Sequence, residues 1–285
     1  MRKNHEADHA RMQAFGKTEG LEVLFMSSRE PNKPDCVSCS DSWSTENAVK
    51  YYSSHRKTPG DLYTSERYFL STMISPGCSI LDIGCAAGGF YSIFRSIEPS
   101  VSYTGVDISA GMITRARELN PGVPFYVSKG SNLPFDAERF DIVFCSGTLH
   151  MSPDWRETIR EAWRVTKDKF LFDLRITGTS PTIEDISVSF EKIAFFGQWD
   201  GKSVVPYIIV SVDDFVAVVN ALRPRSALKK VFGYFHPVSP MTHTPVKNVC
   251  MTMCCIGKTR TGPETDSWEV PLQMPGPFLR HGNEK

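Results

Sequence analysis

An apolar strand that ends in an aspartate and runs straight into helix-opening glycines constrains this chain more than any other stretch. Residues 81 to 90 read LDIGCAAGGF. Gly84 and Gly88 let the backbone turn tightly and approach a ligand where a side chain would intervene. About twenty residues further on, VDIS closes the next strand with Asp107, where a carboxylate can accept hydrogen bonds from both hydroxyls of a ribose. Together the two blocks describe an adenosine site.

Around them, short apolar runs alternate with helical patterns: CSILDIG, FYSIFRSI, VSYTGVDIS, MITRAREL, VPFYVS, FDIVFCS, WRETIREAWRV and KFLFDLRI. Such alternation predicts a parallel sheet with helices on both faces. The pattern lapses from Thr177 to Tyr207. It resumes with a helical VDDFVAVVNAL and two strands, KKVFGYF and NVCMTMCCI, whose long connection HPVSPMTHTPVK suits an antiparallel pair. The expected fold is a doubly wound, Rossmann-like α/β domain with a seven-stranded, mostly parallel sheet and an antiparallel last strand. Val49, Tyr52, Leu62, Tyr63, Tyr68, Phe69 and Leu70 are spaced as helical pieces broken at Pro59-Gly60, which predicts a helical N-terminal lid over 47–75. The expected organisation is a polar extension (1–46), the main domain (47–258) with an insertion at 177–207, and a tail (259–285) rich in glycine, proline and charge.

Lysine plus arginine equals aspartate plus glutamate at 32 each, so no long-range field favours polyanions and nucleic acid is not an expected partner. No run approaches the roughly 18 apolar residues that cross a bilayer, and the start, MRKNHEADHARMQAFGK, is charged throughout. These features predict a cytoplasmic protein without a membrane partner. The eight cysteines, Cys36, Cys39, Cys78, Cys85, Cys145, Cys250, Cys254 and Cys255, mostly lie in strand-like stretches, as reduced core cysteines do. Cys36 and Cys39 form a CxxC, half of a zinc site, but no second pair follows at suitable spacing, so no metal is predicted.

An adenosine site serves nicotinamide enzymes as well as methyl transfer. The spacing here is DxGxxxG, whereas pyrophosphate binding needs GxGxxG. Asp82, just before the turn, would repel a diphosphate but suits an ammonium and a sulfonium. From about Ile80 to Lys258 the chain resembles the class I methyltransferases, especially their type 11 small-molecule branch. LDIGCAAGGF is similar to that family's first motif, VDIS to its second, and LPFDAERFDIVFCSGTLHM to its LPF, FD and post-fourth-strand segments. The resemblance implies S-adenosylmethionine as cofactor, with contacts from Asp82, Gly84, Cys85, Ala86, Gly88, Asp107, Ile108, Gly130, Ser131, Cys145 and Tyr52. Two departures stand out. Ala86 replaces the motif's middle glycine, and Lys129 occupies the place of the acidic residue that usually meets the adenine amino group. Adenine is then expected to rest on backbone groups near Gly130 and Ser131 and on the Ile108 side chain.

The resemblance also implies an in-line displacement, in which the protein orients two partners and excludes water. His150, just after the fourth strand, stands where acceptor and cofactor meet in this fold, either as general base or as a group packed against the cofactor or capping the next helix. Tyr51, Tyr52, His55 and Arg56 form a polar and aromatic cluster, read as a lid over the methionine end of the cofactor or as an ordinary amphipathic helix. Phe195, Phe196, Trp199 and Tyr207 suit an acceptor wall, a subunit contact making a homodimer, or closure of the core. His236 and His243 are read as solvated loop histidines. CSGTLHM stands where nucleobase amine methyltransferases carry an Asn/Asp-Pro-Pro-aromatic segment. The expected function is therefore methyl transfer to a small-molecule acceptor, oxygen preferred. A catalytically idle cofactor-binding partner protein and an NAD-dependent oxidoreductase are the alternatives.

Overall fold

The computed structural model describes residues 43–258; the N-terminal extension up to residue 42, with Cys36 and Cys39, and the tail 259–285 lie outside it. Among the described residues, α1 (Glu46–Ser54) and α2 (Thr64–Met73) precede the sheet, separated by a short turn at Pro59–Asp61. Then follow β1 (Ser79–Ile83), α3 (Gly89–Ile97), β2 (Ser102–Asp107), α4 (Ala110–Leu119), β3 (Phe125–Val127), β4 (Phe140–Cys145), α5 (Trp155–Val165) and β5 (Thr166–Thr177). The remainder comprises β6 (Phe190–Phe195), β7 (Gln198–Pro206), β8 (Val210–Ser211), α6 (Val212–Ala221), β9 (Leu228–Pro237), β10 (Thr242–His243) and β11 (Asn248–Gly257).

The main sheet runs β3-β2-β1-β4-β5-β11-β9, with the two-residue β8 beside β5. Strands β1 to β5 pair in parallel, whereas β11 is antiparallel to both β5 and β9. The sheet is thus mostly parallel with an antiparallel last strand, as the alternation of apolar runs predicts. Its period-two side chains fill two cores. Leu81, Ile83, Val143, Phe170 and Phe172 pack under Trp155, Ile159 and Trp163 of α5 and Phe215 and Val219 of α6. Ile80, Ile142, Phe144, Leu171 and Met253 face the other way, onto Phe69 and Leu70 of α2, Phe90, Ile93 and Phe94 of α3, and Ile113 and Ala116 of α4. Burying apolar area on both faces at roughly 25 cal/mol per Å² is what holds such a sheet.

The stretch where the periodicity lapses supplies β6 and β7 of a second, three-stranded antiparallel sheet, β10-β6-β7, whose β10 comes from the connection between β9 and β11. Its β6–β7 hairpin turns at Phe196-Gly197, both with positive φ (55° and 76°). Two left-handed residues make the turn whose twist matches antiparallel strands. Phenylalanine is an uncommon residue there, so the usual Asn-Gly hairpin signal is missing from the sequence.

Candidate functional site

Strand order reverses between β1 and β4, and in a doubly wound sheet the crevice at the carboxyl ends of such strands receives ligands. The turn after β1 opens into it. Gly84 has φ 78°, and a Cβ there would stand 2.0 Å from Thr148 Oγ1 in the loop after β4, so only glycine lets the two loops meet. Ala86 also sits in the left-handed region, at φ 47°. The related motif prefers glycine at this position for that reason, because an alanine there strains its Cβ against the backbone.

Asp107 holds this turn. Its Oδ2 accepts from Ala86 N at 2.9 Å and its Oδ1 from Ser109 N at 2.9 Å. Burial pushes the Asp107 carboxyl above its ordinary range, against the pull of those two amides. Asp82, almost fully buried near the end of β1, accepts from the Tyr103 hydroxyl at 2.6 Å. Burial pushes its carboxyl up to about 7, while the Tyr103 bond acts in the opposite direction. Two buried carboxylates therefore flank the turn.

The remaining residues divide. Ile108 is half-buried beside Asp107, and Gly130 packs against Ile83 and Thr158 next to the end of β1. Ser131 Oγ donates to Asp154 Oδ2 at 3.4 Å, and Lys129 is exposed. Cys85 and Cys145 reach the crevice through their backbone alone. Their side chains are buried, Cys85 in the core under α3 and Cys145 in the core under α5. Burial pushes both thiols far above their ordinary range, so these side chains serve packing and leave only backbone atoms for the crevice.

Tyr52 of α1 packs with Ala86, Ala87 and Met112, and it meets Trp43 (ring centroids 6.1 Å) and Phe195 of β6 (6.2 Å). Tyr51 also touches Phe195, at 5.5 Å. The lid helix and the insertion hairpin thus close on each other over the glycine turn. The four insertion aromatics do not form one cluster. Phe196 is 53% exposed at the hairpin turn, Trp199 lies under Lys192, and Tyr207 packs edge-on against His150. His55 stacks on Tyr51, and His243 on Phe190.

His150 is buried, with Nε2 facing Arg175 Nη2 at 3.4 Å. Arg175 Nη1 donates to Asp173 Oδ2 at 2.7 Å, and Asp173 Oδ1 accepts from Gly147 N at 2.7 Å. A guanidinium offers only donors, so the neutral imidazole meets it with the Nε2 lone pair and keeps its proton on Nδ1. That Nδ1 is buried without a partner. Burial, reinforced by the Arg175 charge, lowers the His150 pKa well below its ordinary value. The imidazole therefore presents Nδ1–H, and not a lone pair, as its unengaged group. Sequence reading passed over Asp173 and Arg175, whose signal was two charges spaced two apart within an otherwise apolar strand, FLFDLRI. It also passed over Glu191 on β6. Burial raises that carboxyl's pKa, the Arg175 charge lowers it, and no hydrogen bond or ion pair engages it among the described residues. Among the described residues no group of His, Cys, Asp and Glu is arranged to hold a metal ion.

Residues 81–171 match the family described as a methyltransferase domain. The phthiotriol/phenolphthiotriol dimycocerosates methyltransferase of Mycobacterium tuberculosis is 36% identical over 94 residues, covering 32% of this chain and 34% of that protein. The demethylmenaquinone methyltransferase of Lactococcus lactis is 28% identical, covering 49% and 60%. The 27-O-demethylrifamycin SV methyltransferase of Amycolatopsis mediterranei is 29% identical, covering 56% and 59%. The chain thus spans between 34% and 60% of the length of these curated relatives. Among solved structures, phosphoethanolamine N-methyltransferase 2 of Haemonchus contortus, in complex with S-adenosyl-L-methionine, shares the fold. Its TM-score is 0.55 at 15% identity, over 79% of this chain and 60% of that one.

Two outcomes follow from the turn. Ala86→Gly relieves the left-handed strain and is expected to stabilise the protein by about 1 kcal/mol, read as a higher urea midpoint at unchanged slope. Asp82 has its carboxyl raised from 3.8 in the unfolded chain to about 7 in the fold. The folded state therefore keeps this proton longer, and between those values rising pH draws stability down. Asp82→Asn is expected to be the more stable protein at pH 8, by on the order of a few kcal/mol, with the advantage shrinking towards pH 4. Urea midpoints across that range measure it.

Proposed function

We propose that this chain, which belongs to the class I S-adenosylmethionine-dependent methyltransferases, moves a methyl group from S-adenosylmethionine to an oxygen of a small-molecule acceptor. The observation that carries the reading is the pair of buried carboxylates, Asp82 and Asp107, on either side of a tight turn at the strand-order switch. A ligand with an ammonium at one end and a ribose in the middle fits this donor set. A dinucleotide would bring its diphosphate against Asp82, and like charges in a buried site repel.

In this reading Asp107 receives the ribose hydroxyls and Asp82 the ammonium. Ile108 and the backbone at Gly130 and Ser131 flank the adenine. When bound, the cofactor supplies a methyl group activated on a sulfonium. The chain contributes position and dryness: Tyr52, Trp43 and Phe195 cover the turn and exclude water. An oxygen acceptor is supported by the rifamycin relative, whose name places its reaction at the 27-O position.

An oxygen acceptor must lose a proton. His150 is neutral with its proton on Nδ1, so it donates a hydrogen bond to the acceptor and holds it. Glu191 receives the acceptor proton: it is partly buried, its carboxylate is free among the described residues, and it shares the electrostatic surroundings of Arg175, Tyr207 and Tyr52. A carboxyl whose pKa is raised towards neutrality is a better proton acceptor than an exposed one. No helix of the described residues is long and apolar enough to cross a membrane. The six described cysteines are free and buried, which supports a reducing compartment such as the cytoplasm.

S-adenosylmethionine and S-adenosylhomocysteine at about 100 times their Kd are each expected to stabilise the protein by about 2.7 kcal/mol, seen as a melting-temperature rise of several degrees. NAD is expected to cause no shift, and Asp107→Ala to abolish the response to the other two. A shift with NAD alone would replace the methyl-transfer reading with the nicotinamide one. Once an acceptor is found by screening hydroxylated small molecules, Glu191→Gln is expected to lower kcat by about 10²-fold or more. It should also remove the acidic limb of the pH–rate profile, whereas His150→Gln should mainly raise the acceptor KM. Retention of that limb in Glu191→Gln would exclude Glu191 as the base.

A further inference from the structure

A carboxylate buried as deeply as Asp82 keeps its charge only where its surroundings supply a donor. That donor comes from the neighbouring strand. β1 and β2 run side by side with Ile80 opposite Tyr103 and Asp82 opposite Gly105. Side chains alternate between the faces of a strand, so Tyr103, Gly105 and Asp107 share the face that carries Ile80 and Asp82. Gly105 puts no side chain beside Asp82: a Cβ there would stand 2.7 Å from Phe125 Cδ1 and 2.8 Å from Cys85 Sγ. Tyr103, two residues earlier on the same face, reaches past this glycine, and its hydroxyl donates to Asp82 Oδ2 at 2.6 Å.

The Tyr103 ring is held for that contact. It is 4% exposed and lies among Tyr91 (ring centroids 5.4 Å) and Phe94 (6.1 Å) of α3 and Phe125 of β3 (5.8 Å). Burial, reinforced by the Asp82 charge, pushes the phenol far above its ordinary range, so it stays a donor. No other hydrogen bond engages Asp82 among the described residues, which leaves Oδ1 for a ligand. Burial raises the Asp82 carboxyl, and the Tyr103 bond opposes burial more strongly than the Arg56 charge does. Asp107 at the end of β2 and Glu66 of α2 raise it further, Glu66 being the ion-pair partner of Arg56. The nearby thiols of Cys85 and of Cys145 on β4 are neutral, because burial pushes them up.

We infer that Tyr103 is a positioning residue for the cofactor: its hydroxyl holds Asp82 ionised and turned so that Oδ1 receives the ammonium, an assignment that rests on the cofactor reading above. A hydrogen bond to the charged form of an acid favours that form, whereas burial alone favours the neutral acid, which offers an ammonium no charge. Affinity for the cofactor therefore follows the ionisation of Asp82, rising with pH as the carboxylate forms. Tyr103 sets where that rise falls, and removing its hydroxyl moves the rise to higher pH.

The test is isothermal titration of the full chain from about pH 5 to about pH 9, a span that brackets the ionisation of a buried carboxyl. The probes are S-adenosylhomocysteine and 5′-methylthioadenosine, a thioether of the same nucleoside that lacks the amino-acid end. The second probe carries whatever pH does at the ribose, Asp107 included, so the ratio of the two affinities isolates Asp82. In the wild-type protein this ratio is expected to rise with pH through neutrality. Tyr103→Phe keeps the ring and is expected to move the midpoint of the rise up by about one pH unit or more. At neutral pH that weakens S-adenosylhomocysteine about fivefold or more and leaves methylthioadenosine within about twofold. Asp82→Asn should flatten the ratio, and adding Tyr103→Phe to it should change the ratio no further, since Tyr103 acts through Asp82. Placing 3-fluorotyrosine, a stronger donor, at position 103 should move the midpoint down. A wild-type ratio that ignores pH overturns the assignment while leaving the cofactor reading intact. So does an unmoved midpoint in Tyr103→Phe, equal weakening of both probes by that variant, or a rise that survives Asp82→Asn. If neither probe binds the wild-type protein, the cofactor reading itself fails and takes this inference with it.

Discussion

One carboxylate, Asp107, ties together the pieces that make the crevice. Through Oδ2 it anchors the amide of Ala86 in the turn after β1, and through Oδ1 the amide of Ser109. Ser109 in turn caps α4, its Oγ accepting from Met112 N, and the same hydroxyl contacts Trp43 O and Ser44 Oγ at the entry to the lid. The turn, the helix that follows β2 and the start of the lid therefore share one anchor. Buried amides without an acceptor cost about 1–3 kcal/mol each, so their common partner holds the arrangement against its strain at Ala86.

The second constraint is charge buried in pairs. Arg56 faces Glu66, and Arg175 faces Asp173, with both carboxylates almost completely inaccessible. Pairs of this kind contribute little net stability, because desolvation offsets most of the attraction. Their effect is to fix orientation. Asp173 holds Arg175 where it confronts His150, and that contact decides which imidazole nitrogen carries the proton. The Nδ1–H is then the imidazole group left without a partner. Glu191, without such a partner among the described residues, is left as the carboxylate free to respond to a ligand.

The lid and the insertion hairpin depend on each other in a similar way. Tyr51, Tyr52 and Trp43 on one side and Phe195 on the other would each be an exposed aromatic alone. Packed together they cover the glycine turn, and the edge-to-face contacts add roughly 0.5–1.5 kcal/mol per pair beyond the area they bury. Segments far apart in the chain thus form one wall. The same wall lies beside Ala86 and Met112, next to the strand ends that carry Asp82 and Asp107.

Much of this was legible in the sequence, because its signals are local. Apolar runs of period two broken by helical patterns determine a parallel sheet with helices on both faces. DxGxxxG after a strand determines the turn and its flanking Asp82, and the spacing to VDIS determines that Asp107 stands at the next strand end. Tertiary structure decided what local pattern cannot carry. Cys85 and Cys145 sit in the right motifs, but neighbouring helices draw their side chains into the core. The role of His150 depends on an arginine brought alongside from β5, and the hairpin that meets the lid turns on Phe196-Gly197, which carries no strong local signal. In each case the deciding neighbour lies on another strand or helix, and only the packed sheet brings the two within bonding distance.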